Sequence, residues 1–487
     1  MRPRPGDDPA TLRTRTYDRP VTTPRTVAIV GGGIAGLAAA LEASRSGATV
    51  IVLEASPQLG GKVRVSEVGG LPVDEGADAM LARVPYGAEL ARQAGLGDEL
   101  VAPAAGQASL WTRGRLRPLP AGTLMGVPGN LATLARSEVL SARGLARVPL
   151  DLALPGSPVT EDISVGELVR RRLGGEVVER LVDPLLGGVY AGRADRLSLY
   201  ATLPQLVAPV ARSRSLLLAT RQARATATPY TGPLFRGLPG GLGRLPAAVA
   251  NASGARVRLS TTVRALARTP TGWRLDLGSV AHPEQLDVDG VVLAIPAAPA
   301  ARLLRDLAPA AAEGLAGLEY ASVAIVTLVL DGATPGAGSG YLVPAVDGRV
   351  TKAVTFTSRK WGHYPAGRAV VRASVGRHGD ATDLQRDDAE LVDVVRAELV
   401  AAVGPVARTL DSRVVRWGGG LPQYAVGHLD LVHRVRAAVA AHPGLAVAGA
   451  AYGGVGIPAV ARDGRDAARQ VLAAHLVDDR THDRRPA

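Results

Sequence analysis

Three glycines near the start of the chain have the spacing that pyrophosphate binding requires. Gly31, Gly33 and Gly36 follow the apolar run at residues 27–30 and open an alanine-rich segment that favours helix. Glycines at these positions allow a tight turn, close approach of the backbone to a pyrophosphate, and close packing of helix on strand. The N–H groups at the start of such a helix attract phosphate. The motif predicts a dinucleotide site.

A carboxylate after the second predicted strand supports this interpretation, because the glycine pattern alone also arises by chance in an alanine- and glycine-rich chain. Residues 49–53 form an apolar, mainly β-branched run, and Glu54 follows it, eighteen positions beyond Gly36. A carboxylate at about this spacing accepts hydrogen bonds from an adenosine ribose. The alternative is a surface glutamate at the end of a strand.

A second glycine doublet distinguishes between dinucleotides. Gly60 and Gly61 are followed by the cation Lys62. Such a loop can approach a long dinucleotide and place positive charge near its pyrophosphate or flavin. A simple hairpin turn is the alternative. Together with the first motif, the doublet indicates a site for FAD rather than NAD.

The other end of the chain carries a second unit that suits a flavin. Residues 444–449 predict a strand, residues 450–458 a glycine-rich loop, and residues 459–476 a helix. Pro458 suits the first turn of that helix. Backbone N–H groups at a helix start can hold the negative charge that builds on a flavin.

These motifs require elements from both ends of the chain to meet. The residue patterns predict helices and strands in segments spread along the whole chain, and no internal repeat is present. The predicted segments are a β-α-β unit at 26–54, a mainly helical stretch at 113–200, a helix at 245–251, strands at 256–259, 273–277 and 320–330, and strand or strand and loop at 291–301. The predicted fold class is α/β with mixed α+β character, in which one domain is assembled from distant segments.

Composition restricts the class of protein. The length of 487 residues suggests about three domains at roughly 150 residues each, and 47% hydrophobic residues support a large core. The net charge is +12, but only Lys62, Lys352 and Lys360 are lysines, and this arginine bias is typical of a GC-rich genome. The charge is not combined with aromatic residues in any segment, so no nucleic-acid partner is expected. An anionic small molecule is the alternative use of the arginines.

The absence of cysteine excludes disulfides, thiolate metal sites and a flavin attached through cysteine sulfur. The histidines form no triad and no metal-binding spacing, so single ones such as His363 and His428 are interpreted as structural. Residues 1–25 lack the apolar run of a secretory signal, and no run reaches the roughly 18 residues of a membrane span. We expect a cytoplasmic protein with disordered tails at 1–25 and 477–487.

Several further segments, in chain order, resemble those of one family. They read DEGAD at 74–78, WTRGRLRPLP at 111–120, GTLMGVP at 122–128, DPLLGGVYAG at 183–192, GLPGGL at 237–242, RW at 416–417 with LPQY at 421–424, and GGVGIP at 453–458. With the glycine motifs they extend over residues 26–476. On these residues the chain resembles the oxygen-dependent porphyrinogen oxidases of haem biosynthesis, within the flavin amine oxidase superfamily, and among them the Gram-positive-type coproporphyrinogen III oxidases.

The resemblance implies a glutathione-reductase-like Rossmann domain that binds FAD, with an inserted substrate domain on a mixed sheet and a helical domain. The FAD-binding domain would comprise residues 26–75, 236–300 and 411–476. The substrate-binding domain would comprise residues 76–112, 204–235 and 301–410, and the helical domain residues 113–203. In membrane-attached relatives the helical domain meets the bilayer, but its many arginines here do not favour attachment.

Site residues follow from the same resemblance. Trp417 is expected beside the flavin, with an ordinary core tryptophan as the alternative. Arg83 is the candidate contact for a substrate carboxylate, with an exposed, salt-bridged arginine as the alternative. No metal site and no catalytic protein residue is expected, because flavin N5 would carry the chemistry. The implied contacts of a non-covalent FAD are Gly31, Gly32, Gly33, Ile34, Ala35, Gly36, Glu54, Gly60, Gly61, Lys62, Gly76, Ala77, Val455, Gly456 and Ile457, with Val263 at the adenine.

The implied reaction is the six-electron oxidation of coproporphyrinogen III to coproporphyrin III. It would take three flavin cycles, each passing two electrons to dioxygen and releasing hydrogen peroxide. Protoporphyrinogen IX is a second candidate substrate, and other haem-pathway enzymes are candidate partners. The alternatives are another FAD-dependent amine oxidase or desaturase and, from a different class, a non-catalytic binding protein on the same fold.

Overall fold

The computed structural model describes residues 25–154, 156, 158–279 and 281–482. Apart from Arg25, the predicted N-terminal tail lies outside the described residues, as do the last five residues of the predicted C-terminal tail. The final helix, Ile457–His482, includes the first part of that predicted tail.

A five-stranded parallel sheet joins the two ends of the chain. In its central strand Val27 and Ile29 pack on one face, and Ala28 and Val30 pack on the other. This two-sided burial explains why the strand is apolar throughout rather than alternating. The strands lie in the order Arg256–Arg258, Thr49–Leu53, Thr26–Val30, Gly290–Leu293 and Leu445–Val447.

Helices cover one face of the five-stranded sheet. The first helix, Ile34–Arg45, lies against the last helix, Ile457–His482, and against Arg244–Ser253. The first and last helices approach so closely that a Cβ atom on Gly464 would lie 1.9 Å from the carbonyl oxygen of Ala35. The opposite face packs against a three-stranded sheet and three helices. These are the strands Val263–Arg268, Trp273–Gly278 and Pro283–Val288 and the helices Ala297–Leu304, Pro309–Ala316 and His428–Ala440.

A seven-stranded mixed sheet forms the second layer. One face packs against helix Asp388–Val403, whose first turn is capped by Asp387 accepting a 2.8 Å hydrogen bond from the Glu390 N–H. Alternation along Tyr320–Asp331 places Ala324 and Val326 in that core. The strands lie in the order Thr409–Pro422, Tyr320–Asp331, Arg368–Val375, Thr351–Phe356, Gly340–Leu342, Ala108–Thr112 and Arg115–Pro118.

A layer of short helices has its own apolar core, which includes Leu181, Leu206 and Leu216. Several of its helices begin with side-chain caps, such as Ser164, whose hydroxyl accepts a 3.1 Å hydrogen bond from the Glu167 N–H. The helices of this layer are Leu131–Ser137, Ala142–Arg147, Leu150–Ala153, Val165–Leu173, Gly175–Val177, Val178–Val182 (a π-helix), Asp183–Tyr190, Leu199–Thr202, Pro204–Arg212 and Leu216–Ala225.

Short elements connect these layers. They are the strands Val65–Val68, Leu71–Asp74, Met80–Leu81, Thr123–Leu124, Val127–Pro128 and Phe235–Arg236, the helices Tyr86–Gln93 and Thr357–Lys360, and the 3₁₀ turns Ala345–Asp347 and Thr382–Gln385.

Two local predictions were wrong. Residues 291–301 are not strand and loop throughout, because the strand Gly290–Leu293 is followed by the helix Ala297–Leu304. The alanines in that helix favour it, and Pro296 immediately precedes it. The mainly helical stretch also contains the strand Arg115–Pro118, which pairs with Ala108–Thr112 at the edge of the seven-stranded sheet.

Candidate functional site

The glycine loop at residues 31–36 joins the central strand to the first helix. Gly31 has φ +109°, and its N–H donates a 2.8 Å hydrogen bond to the Leu53 carbonyl. A Cβ atom on Gly36 would lie 1.9 Å from the Gly31 carbonyl oxygen, so only glycine permits this helix to start so close to the strand. Gly33 caps the helix without a side-chain hydrogen bond, and a Cβ atom there would meet no protein atom within 4 Å.

Glu54 fixes the glycine loop through both of its carboxylate oxygens. Oε2 accepts a 2.6 Å hydrogen bond from the Gly32 N–H, and Oε1 accepts a 2.8 Å hydrogen bond from the Ser56 N–H. Each oxygen has a further lone pair, so the carboxylate can also accept hydrogen bonds from a ligand. Glu54 is therefore more than a surface residue at a strand end.

The second glycine doublet lies directly beside the first. The Gly60 N–H donates a 2.9 Å hydrogen bond to the Gly32 carbonyl, and Gly60 has φ +109°. A Cβ atom on Gly76 would lie 2.1 Å from the Lys62 carbonyl oxygen, so this pair of segments also requires glycine. The Lys62 side chain is exposed along a cavity wall, and desolvation by the surrounding protein lowers its pKa.

Trp417 is half-buried beside these loops. Its indole Nε1–H donates a 3.0 Å hydrogen bond to the Glu75 carbonyl, and its ring would lie 3.6 Å from a Cβ atom on Gly76. The guanidinium carbon of Arg64 lies 5.5 Å from the centre of the Trp417 ring. The ring is therefore held in place by the segment that carries Gly76 and Ala77.

The start of the last helix completes the same site. Gly456 has φ +97° and precedes the helix. Inside that helix, the buried Asp463 accepts a 2.8 Å hydrogen bond from the Gly449 N–H and pairs with Arg436. The hydroxyl of Tyr424 donates to the carbonyl of Ala450. The loop is therefore held on one side by the last helix, through Asp463, and on the other by the segment after strand Thr409–Pro422, through Tyr424.

All these segments line one cavity of about 2620 Å³. Gly32 and Gly36 do not line it and serve the packing described above. Arg83 is exposed on its wall and makes no ion pair with the described residues. The predicted site residues that line the cavity are Gly31, Gly33, Ile34, Ala35, Glu54, Gly60, Gly61, Lys62, Gly76, Ala77, Arg83, Val263, Trp417, Val455, Gly456 and Ile457.

The opposite walls of the cavity were not predicted from the sequence. One face of the seven-stranded sheet contributes Val323, Ile325, Ser374 and Lys352, and the helical layer contributes Tyr190. Alternation in the strand 320–330 predicts that Val323 and Ile325 share a face, but nothing local indicates that this face borders a cavity. Such walls become visible only when sheet and helices are assembled.

The cavity is lined by more cations than carboxylates. Among the described residues, its carboxylates are Glu54 and Asp78. Burial opposes the ionisation of Asp78, but Lys360, at 3.0 Å, and Arg372, at 3.6 Å, lower its pKa. The cations are Lys62, Arg64, Arg83, Arg212, Arg224, Arg264, Arg302 and Lys352. The site therefore suits ligands that carry several negative charges.

The geometry fits a bound dinucleotide. Gly33 leaves open space at a helix start whose first N–H groups have no side-chain cap, and a phosphate there would meet those donors. Glu54, Val263 and Trp417 line the same cavity as Gly33. A family model described as flavin-containing amine oxidoreductase matches residues 34–472 of the chain.

The chain belongs to this family. The predicted family and the mixed α/β fold are thereby confirmed, and the cofactor of this oxidoreductase is a flavin. None of the helices within the described ranges is both long and apolar enough to cross a bilayer.

Several similar proteins are named as porphyrinogen oxidases. The chain is 33% identical to the coproporphyrinogen III oxidase of Bacillus subtilis (strain 168), over 92% of this chain and 97% of that protein. It is 36% identical to the coproporphyrinogen III oxidase of Mycobacterium tuberculosis (strain H37Rv), over 90% and 95%. A crystal structure of a proposed protoporphyrinogen oxidase from Exiguobacterium sp. 255-15 superposes with a TM-score of 0.82 at 33% identity, covering 93% of this chain and 99% of that one.

Proposed function

We propose that the protein catalyses the FAD-dependent oxidation of coproporphyrinogen III to coproporphyrin III in haem biosynthesis, with dioxygen as electron acceptor. The observation that carries this proposal is a cavity in which the predicted flavin-binding loops lie together with eight cations, against two carboxylates among the described residues. Coproporphyrinogen III carries four carboxylates, and arginine and lysine are the side chains that bind carboxylates. Similarity to coproporphyrinogen III oxidases over more than nine-tenths of the chain supports the same substrate.

FAD is the flavin that the cavity suits. We propose that the pyrophosphate binds at Gly33 and the start of the first helix, the ribose at Glu54 and the adenine at Val263. The flavin ring would then lie near Trp417 and the N–H groups of the last helix. The other predicted contacts keep the roles assigned from the sequence, and the three-domain division is part of this proposal. When bound, FAD accepts a hydride equivalent from the substrate and delivers two electrons to dioxygen.

The protein's own groups would bind and orient the substrate rather than transfer protons. Conversion of a porphyrinogen to a porphyrin removes six electrons, so three dioxygen molecules become three hydrogen peroxide molecules. The cations of the cavity would hold the carboxylates, and the apolar side chains of Val323 and Ile325 would face the macrocycle. We propose Arg83 as one carboxylate contact, because it is exposed on the cavity wall without an ion-pair partner among the described residues.

An aerobic assay of the purified, flavin-containing protein tests the proposal. Freshly reduced coproporphyrinogen III and protoporphyrinogen IX are compared by porphyrin fluorescence and peroxide formation. We expect coproporphyrinogen III to be the preferred substrate, with three peroxide molecules per porphyrin. If the protein holds flavin but oxidises neither compound faster than the reaction without enzyme, the proposal is contradicted. An amine oxidase or desaturase would then be the remaining interpretation.

Protoporphyrinogen IX is the second candidate substrate, since the similar Exiguobacterium protein is named as a proposed protoporphyrinogen oxidase. A preference for the compound with two carboxylates would favour this candidate. A cytoplasmic location and association with other haem-pathway enzymes also belong to the proposal. Cell fractionation followed by co-purification would test both.

A further inference from the structure

Lys352 is a buried cation without a counter-charge. Only 7% of the surface of Lys352 is exposed, yet Lys352 lines the cavity. Within the described part of the chain its ammonium group makes no hydrogen bond and no ion pair. By contrast, Lys360 is paired with Asp78 at 3.0 Å. Because an unpaired buried ammonium is unfavourable, its presence on a cavity wall indicates that a ligand supplies the missing negative charge.

A β-bulge sets the position of Lys352. In the pairing of strand 351–356 with strand 368–375, Thr351 lies opposite Val375 and Ala353 lies opposite Ser374. Lys352 is therefore an extra residue with no partner in strand 368–375, while its carbonyl accepts a 2.8 Å hydrogen bond from the Val343 N–H on the other side. An extra residue of this kind bends the strand and redirects a side chain.

The bulge determines which face of the sheet receives the ammonium. Val354 and Phe356 lie in the apolar core beneath the seven-stranded sheet, and regular alternation would place Lys352 on the same face. In the structure, Lys352 instead lines the cavity together with Ser374. The irregularity thus moves a lysine from the core side to the ligand side.

The charged groups around Lys352 are engaged elsewhere or repel it. Burial and the charge of Arg377 lower the pKa of Lys352 to about 7. Glu398, from the helix beneath the sheet, accepts hydrogen bonds from the N–H groups of Val350 and Thr351 at 3.0 and 2.9 Å. From the neighbouring strand, Arg372 donates to the Gly76 carbonyl. The charges of Asp183, from the helical layer, and of Asp380 interact favourably with Arg377 and favour its charged form.

We infer that Lys352 binds a carboxylate of the substrate and so orients it on the sheet wall of the cavity. The inference rests on the proposed function for the kind of substrate. A bound carboxylate would provide the absent counter-charge and a charge-assisted hydrogen bond in a site of low polarity.

Equilibrium binding of coproporphyrin III, the stable product with four carboxylates, tests this inference. Porphyrin fluorescence is titrated with flavin-containing wild type, Lys352→Met and Arg349→Met at pH 6.5. We expect Lys352→Met to weaken binding about tenfold, the equivalent of one charge-assisted hydrogen bond. Arg349→Met should change affinity less than about twofold. It removes one charge three residues away, from an exposed side chain stacked on Trp111 outside the cavity.

Two further readouts separate binding from a structural role. The affinity of the wild type should fall about tenfold between pH 6.5 and 8.5, because the free lysine loses its proton above about pH 7, whereas Lys352→Met should show little change. The neutral tetraamide of coproporphyrin III should bind both proteins equally. Thermal stability of Lys352→Met should be equal to or above that of the wild type, since methionine is similar in size and removes a buried charge.

The outcomes distinguish this inference from the proposed function. Equal affinity of Lys352→Met and a wild type that oxidises porphyrinogen would overturn the inference alone. Loss of flavin absorbance in Lys352→Met would also overturn it, because the ammonium would then serve the cofactor. Failure of the wild type to bind coproporphyrin III would overturn the inference, and failure to oxidise coproporphyrinogen III as well would overturn both.

Discussion

Gly33 and Gly36 show how two glycines of one motif can be required for different reasons. A methyl group on Gly36 would meet the backbone carbonyl oxygen of Gly31 at 1.9 Å, whereas one on Gly33 would enter open space on the cavity side. Gly36 is constrained by the protein itself. Gly33 would be constrained only by what binds in the cavity.

This contrast gives a paired prediction. Gly36→Ala should lower the free energy of unfolding of the flavin-free protein by at least about 2 kcal/mol, because backbone atoms cannot move aside. Gly33→Ala should leave that free energy within about 1 kcal/mol but weaken FAD binding about tenfold or more. Denaturant unfolding and flavin titration measure the two effects. Equal behaviour of the two variants would contradict the assignment.

His428 makes stability depend on pH. It is buried and stacks on Tyr424 at 4.1 Å, and neither ring nitrogen has a hydrogen-bond partner among the described residues. Burial lowers its pKa to about 4. Because the unfolded state binds a proton near pH 6.5 and the folded state does not, stability is lost as pH falls from 6.5 towards 4.

A phenylalanine at this position should remove that dependence while keeping the stacked ring. Between pH 7 and pH 5 the wild type should lose about 2 kcal/mol more stability than His428→Phe. Urea unfolding at the two pH values measures the difference. Parallel losses in both proteins would show that the proton is taken up elsewhere.

Elements differ in how much of their position the local sequence determines. The strand, glycine loop and helix at residues 26–45 were predictable because one short segment supplies the apolar run, the turn and the helix start. The helix Ala297–Leu304 was missed because an alanine-rich segment after a strand suits both conformations. Lys352 could not be identified as a cavity residue, since its direction depends on a bulge opposite strand 368–375.

The crossing of the first and last helices carries a prediction at this scale. Both helices begin at the cavity, and their contact allows nothing larger than Gly464. Gly464→Leu should force them apart, lower stability by about 3 kcal/mol and release flavin. Gln470→Leu, on the exposed side of the same helix, should change stability by less than about 0.5 kcal/mol. Thermal unfolding measures the change in stability, and flavin absorbance after gel filtration measures the loss of flavin.

The molecule as a whole is built around one cavity shared by the five-stranded sheet, the seven-stranded sheet and the helical layer. A ligand that spans it should therefore stabilise all three parts together. FAD at one hundred times its Kd should raise the free energy of unfolding by about 2.7 kcal/mol. FMN at the same concentration should produce a much smaller shift, because it lacks the adenylate that would contact Glu54 and Val263. Equal shifts in Tm would contradict the dinucleotide assignment.

The order of strands in the five-stranded sheet has a consequence for biosynthesis. The strand at residues 445–447 joins the sheet beside 290–293, which itself lies beside 26–30. A ribosome releases the N-terminal strand hundreds of residues before its last sheet neighbour. The early apolar strands therefore stay without their sheet partners, either exposed or bound by chaperones, until synthesis is nearly finished. If the flavin contacts the final helix as proposed, it can bind only after that helix has been synthesised, so bound flavin would distinguish chains translated to that point.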